Sequence, residues 1–127
     1  MEDEAAQDVE IEAHADHLEA RFLGSFTVDR FKRQVEAAVR ACRARSLGRL
    51  LIDVTLLQAK LTTIDRYEIS SHGASEAYDL KVALFSLPEL IDPKKFGVMV
   101  ARNRGMNVDI FTDRESALTW LLATKDG

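Results

Sequence analysis

Residues 50–54 read Leu50-Leu51-Ile52-Asp53-Val54, and this run decides the fold. Its apolar residues follow one another instead of alternating with polar ones. That predicts a central strand covered on both faces, as in a parallel sheet. Parallel neighbours are joined by crossovers, usually helical, so a helix is expected on each side. Upstream, Phe31, Val35, Ala38, Val39 and Cys42 recur at i, i+4, i+7, i+8 and i+11, one face of an amphipathic helix. Its other face is basic, with Arg30, Lys32, Arg33, Arg40, Arg43 and Arg45. Thr27 stands at an N-cap position with Asp29 in the first turn, and Gly48 follows where helices often stop.

The same reading extends to both ends. Val9–Ala13 alternates as a half-buried strand, His14-Ala15-Asp16-His17 is a turn, and Leu18–Phe26 alternates again, which predicts a hairpin. After the central strand, Thr62 or Thr63 caps a helix running to about Tyr78, with Ile64, Tyr67, Ser71, Ala74 and Tyr78 inward. Val82–Phe85 is a second buried strand. Asp92-Pro93 then opens a helix whose apolar face is Phe96, Met99 and Val100, ending near Gly105. Val108–Phe111 is the last strand. Thr112-Asp113-Arg114-Glu115 has capping-box spacing before Ala117, Leu118, Leu121 and Leu122, with Trp120 at the flank of that stripe. The order is β-β-α-β-α-β-α-β-α. The expected class is α/β, a mixed five-stranded sheet with an opening antiparallel hairpin, then parallel βαβ units, and about four helices. One domain is expected over 9–124, after an acidic tail at 1–8.

The 127 residues suffice for one domain with a core, and 46% apolar with 30% charged residues argues against disorder. Residues 1–19 carry eight acidic groups and no Lys or Arg, while the rest holds 13 acidic against 17 basic residues. A net charge of −4 disfavours phosphate-backbone binding, so no nucleic-acid partner is expected. The single cysteine, Cys42, excludes an internal disulfide and a cysteine zinc cluster. No apolar run approaches the roughly 20 residues of a membrane span, and the acidic start is neither signal nor transit peptide. A cytoplasmic location is expected.

Three stretches carry a family resemblance: Gly24-Ser25-Phe26-Thr27 leading into the first helix, Leu50–Val54, and Val108–Phe111 leading to Glu115-Ser116-Ala117-Leu118-Thr119-Trp120-Leu121. In this order the chain resembles the STAS domain of sulfate transporter tails and anti-sigma-factor antagonists. It looks most like the small bacterial SpoIIAA-like (STAS/SEC14-type) proteins. The resemblance implies regulation through binding and no catalysis. One departure stands out. Phosphorylated antagonists carry Asp-Ser-Ser-Gly after the Leu-Ile-Asp strand. Counted without gaps, that Asp falls on Leu61, the phosphoacceptor on Thr62 and the Gly on Ile64, so only a hydroxyl remains.

Thr62 and Thr63 could accept phosphate at a helix N-terminus, although capping is the simpler role. Asp53 is expected near its strand's end, accepting from loop N–H groups. His14, Asp16 and His17 are weak metal ligands unless a third or fourth partner comes from elsewhere. His72 has no recognisable partner. Cys42 reads as a core residue. No serine lies in Gly-x-Ser-x-Gly, and no glycine-rich phosphate loop exists. Apolar residues continue past two strands, Leu56, Leu57 and Leu61 after one and Leu87, Leu90 and Ile91 after the next. Both loops should lie at the carboxyl edge of the sheet, where open α/β folds bind ligands. The expected site is therefore Leu57, Leu61, Thr62, Thr63, Leu87, Leu90 and Ile91. Two functions fit it: a protein-interaction module, binding another protein or itself as a homodimer, or a pocket for a small apolar, lipid-like ligand. No cofactor, metal or catalytic residue is assigned.

Overall fold

The structure, a computed structural model, describes residues 8–124. All but Asp8 of the acidic tail expected at 1–8 lies outside them. Five strands form the main sheet in the order β1 (Val9–Ala13), β2 (Leu18–Phe22), β4 (Arg49–Asp53), β6 (Lys81–Phe85), β7 (Asn107–Phe111). The β1–β2 pair is antiparallel and all other pairs are parallel. The register places Ala20, Ile52, Leu84 and Ile110 in one apolar row across four strands. Helices α1 (Val28–Ala44), α2 (Thr63–Glu76) and α3 (Phe96–Asn103) lie on that face, and α4 (Arg114–Leu122) on the other. The mixed five-stranded α/β architecture expected above is thus present.

The core divides along the sheet. Leu18, Ala20, Phe22, Leu50, Ile52, Val82 and Val108 meet Val35, Ala38, Val39 and Cys42 of α1 on the first face. Leu51 and Ala83 meet Ala117 and Leu121 on the second. Trp120 is half-buried there, 5.7 Å from Phe111 between ring centroids, with the Lys81 ammonium 4.5 Å from its ring centre. Lys81 Nζ also donates to the Trp120 carbonyl at 2.8 Å.

Several local expectations differ from what is found. The second strand stops at Phe22, because Gly24 turns into the left-handed region at φ 92°. Gly24–Ser25 (β3) instead pairs in parallel with Leu57–Gln58 (β5) in a separate two-stranded sheet. Burial does not alternate along β2 either. Glu19 is only 2% exposed, held by Arg21 at 3.0 Å and by Arg114.

On α2, the expected inward residues Ile64, Tyr67 and Tyr78 are exposed, and Tyr78 lies beyond the helix. Tyr67 receives a hydrogen bond from Arg104 at 2.7 Å, and Arg43 lies over the Tyr78 ring. An aromatic ring with a polar tip and a guanidinium partner is stable at the surface. The inward face of α2 is small instead, with Gly73 and Ala74 buried.

Helix α3 begins at Phe96, not at Asp92-Pro93. Asp92-Pro93-Lys94-Lys95 forms a turn closed by Lys95 N–H on the Asp92 carbonyl at 2.8 Å, with Pro93 where turns favour it. The Asp92 carboxylate still accepts from Phe96 N–H at 3.1 Å. Met99 is exposed while Val98 and Ala101 face inward. Asp113, not Thr112, caps α4, accepting from Ser116 N–H at 2.8 Å.

Candidate ligand site

The α2 helix rests mainly on α1 and α3 and stands off from the sheet. A cavity of about 130 Å³ fills the gap. Its floor is the apolar face of the sheet, with Leu50, Ile52, Val82, Leu84, Val108 and Ile110. Val35 and Val39 of α1, Ile69, Gly73 and Ala77 from the α2 segment, and Val98 and Ala101 of α3 enclose it. At the carboxyl edge of the sheet it is lined by Leu61, Leu90 and Ile91, with Arg66, Asp92 and Lys95 beside them.

The local sequence explains the gap. Gly73 and Ala77 present almost no side chain toward the sheet, so α2 leaves space that a Leu stripe would fill. Gly97 brings α3 against α2. A Cβ there would lie 2.8 Å from Ser70 Oγ.

Arg66 ties the two loops at this edge together. Its guanidinium donates to the Leu61 carbonyl at 3.1 Å and to the Leu90 carbonyl at 3.0 Å. Nothing local in the sequence marks Arg66, because its second acceptor is 24 residues away. Lys95 Nζ lies 3.4 Å from the Asp109 carboxylate.

The residues expected at the site are distributed as follows. Leu61, Leu90 and Ile91 meet at the cavity. Leu57 is buried in the main core through β5. Leu87 is 39% exposed and Leu56 57%, and neither lines the cavity. Thr62 caps α2: its Oγ accepts from Asp65 N–H at 3.0 Å, and the Asp65 carboxylate accepts from Thr62 N–H at 3.0 Å. Thr63 is the exposed first residue of the helix. Asp53 accepts from Thr55 N–H at 2.8 Å and from the Thr55 hydroxyl at 2.6 Å, the loop-capping role expected of it. His72 does have a partner, Glu36 at 2.8 Å on α1. His14, Asp16 and His17 lie in the β1–β2 turn, at the amino edge of the parallel strands and away from the cavity.

No protein-family model matches the chain, and no curated protein matches it in sequence. Solved structures do. A protein of the DUF3478 family with a SpoIIAA-like fold, from Shewanella loihica PV-4, superposes with a TM-score of 0.55 at 21% identity. The match covers 89% of this chain and 91% of that one. An anti-sigma factor antagonist from Mycobacterium paratuberculosis superposes with a TM-score of 0.59 at 12% identity, covering 89% of this chain and 92% of that one. The likeness is one of fold: the chain has the SpoIIAA-like, STAS-type architecture. No helix among the described residues is long and apolar enough to cross a membrane.

Proposed function

We propose that this chain is a non-enzymatic regulatory module of the STAS type that takes a small apolar group into the cavity between its sheet and α2. The cavity itself carries the reading. A sealed apolar void costs about 24 cal/mol per Å³, so about 3 kcal/mol is the upper limit for leaving 130 Å³ unfilled in this cavity, which opens at the carboxyl edge. That is a large share of the roughly 5–15 kcal/mol that holds a domain folded. A ligand that fills the space recovers the lost contacts.

Size narrows the ligand. An apolar cavity of about 150 Å³ holds one benzene ring, whereas drug-sized ligands need roughly 300 Å³ or more. A single ring or a short alkyl end fits here. A longer ligand would leave its polar end at the carboxyl edge, beside Arg66 and Lys95.

The test uses toluene and straight-chain carboxylic acids of four to twelve carbons. Binding is expected to raise the melting temperature and to shift the methyl resonances of Ile69 and Val98. Gly73→Leu should fill the space and abolish both effects, with Gly73→Ala as a milder variant that keeps the fold. Absence of any shift across the series, or shifts confined to residues outside the cavity, would refute the proposal.

A second reading is a protein-docking module. Ile64, Tyr67 and Met99, exposed on α2 and α3, favour it, and one structural neighbour is an anti-sigma factor antagonist. Under that reading the head of α2 carries no phosphoserine switch, because Leu61 and Ile64 stand where phosphorylated antagonists have Asp and Gly. Leu87→Asp, outside the cavity, should leave toluene binding unchanged under the first reading. Loss of self-association in sedimentation of that variant would favour the second.

A further inference from the structure

The β1–β2 turn brings His14, His17 and Glu19 together, each offering a donor atom, with all three donors within 4.8 Å of one another. The His17 side chain is 7% exposed. Its Nδ1 lies 2.7 Å from Asp16 Oδ1. An ionised carboxylate only accepts, so the proton of that bond sits on Nδ1. In the neutral imidazole this leaves Nε2 with a bare lone pair, and Nε2 is buried with no partner. Buried nitrogens are rarely left so, because the lost hydrogen bond to water is not replaced. A carboxylate on one ring nitrogen with the other free is also the arrangement that orients a metal-binding histidine.

His14 and Glu19 stand beside His17. His14 stacks on His17 with centroids 4.5 Å apart and planes 11° from parallel, so one ring turns when both in-plane lone pairs reach a single ion. Glu12 lies 2.9 Å from His14 Nε2 but falls outside this donor group. Glu19 is 2% exposed and is already held by Arg21 and Arg114. A carboxylate has about four lone-pair sites, so two guanidinium contacts leave room for a third partner.

We propose that His14, His17 and Glu19, with water completing the coordination, bind a divalent transition metal of the zinc class. Two imidazoles with a carboxylate suit Zn²⁺ and its borderline neighbours, whereas Mg²⁺ and Ca²⁺ prefer all-oxygen sets. The metal would fasten the β1–β2 turn to β2, and through the Glu19–Arg114 pair to the first turn of α4.

The experiment titrates chelator-stripped, tag-free protein with Zn²⁺ by calorimetry, and with Ca²⁺ as control. One equivalent of Zn²⁺ should bind saturably, and Ca²⁺ should not. His14→Ala, at a one-third exposed side chain, should weaken Zn²⁺ binding at least tenfold with the fold intact, and His17→Gln likewise. In the unaltered protein, the His17 Nε2 resonance should move on adding Zn²⁺. His72→Ala should change nothing, although His72 with Glu36 and Glu76 forms another donor group. Absence of saturable Zn²⁺ binding, binding that survives the His14→Ala/His17→Gln double variant, or binding lost in His72→Ala would each overturn the proposal.

Discussion

At the residue scale, Ser46 is, with Lys95, one of two non-glycine residues among those described that hold the left-handed region, at φ 54°. It closes α1. Ser46 N–H donates to the Arg43 carbonyl at 3.2 Å and Leu47 N–H to the Cys42 carbonyl at 2.9 Å. Gly105 closes α3 by the same pattern at φ 91°, with no Cβ to strain. A left-handed L-residue costs roughly 1–2 kcal/mol, partly offset by the freedom that glycine gains when unfolded. Ser46→Gly is therefore expected to stabilise the protein by about 0.5–1 kcal/mol. The urea midpoint should rise with the slope unchanged, and a lower midpoint would contradict the argument. Cys42, wholly buried, has its thiol pushed up to about 11 by that burial. With so little thiolate at pH 8, it should react with Ellman's reagent only as fast as the domain unfolds. Rapid labelling of the native protein would show otherwise. The roles of Cys42, Asp53 and Thr62 are legible in the sequence, because each depends on near neighbours or a periodic stripe. Glu19, Arg66 and Lys81 are not, since their partners stand 95, 24 and 39 residues away.

At the scale of elements, α1 and α2 contrast. The apolar stripe of α1 faces the sheet, so its inward residues can be read from spacing alone. On α2 the large apolar residues point outward and small ones inward, so the same rule chooses the wrong face. Asp92-Pro93 fails for another reason: Pro suits both the first position of a helix and the second of a turn, and the left-handed Lys95, at φ 51°, decides for the turn. The site shares this fate. Leu61, Leu90 and Ile91 are visible as surplus apolar residues, but the cavity they border is made by what α2 lacks. Gly73→Ala follows from that geometry. The added methyl would lie 3.9 Å from Met106 Sδ, an ordinary contact, and alanine is better than glycine in a helix by about 1 kcal/mol. The variant should melt several degrees higher while holding toluene less tightly. A lower melting temperature would mean that the space beside Gly73 is not available.

At the scale of the whole molecule, the five-strand order follows from alternation and helix spacing, whereas β3 and β5 leave no trace because two residues have no period. The sheet's two faces also differ in charge. Toward β1 and β2, the side on which α4 lies carries Glu10, Glu12, Glu19 and Arg21 in place of a continuous core. Burial opposes ionisation of Glu19, but hydrogen bonds and charge from Arg114 and Arg21 outweigh it and hold the carboxyl below its usual range. A lowered carboxyl stabilises the fold fully above the ordinary value of about 4.3, and that stabilisation is lost as pH falls through the lowered one. Melting temperature should accordingly be level from pH 8 to about 5 and fall below that. Glu19→Gln should lower the plateau and flatten the acid limb, and an acid limb as steep as before would assign the loss to other groups. The stand-off of α2 has one more consequence, in time rather than in energy. A helix seated on two neighbouring helices above a gap can detach while the sheet stays whole. Its amides should exchange with deuterium through an opening that exposes little surface and so responds weakly to denaturant, whereas those of β4 and β6 should wait for global unfolding.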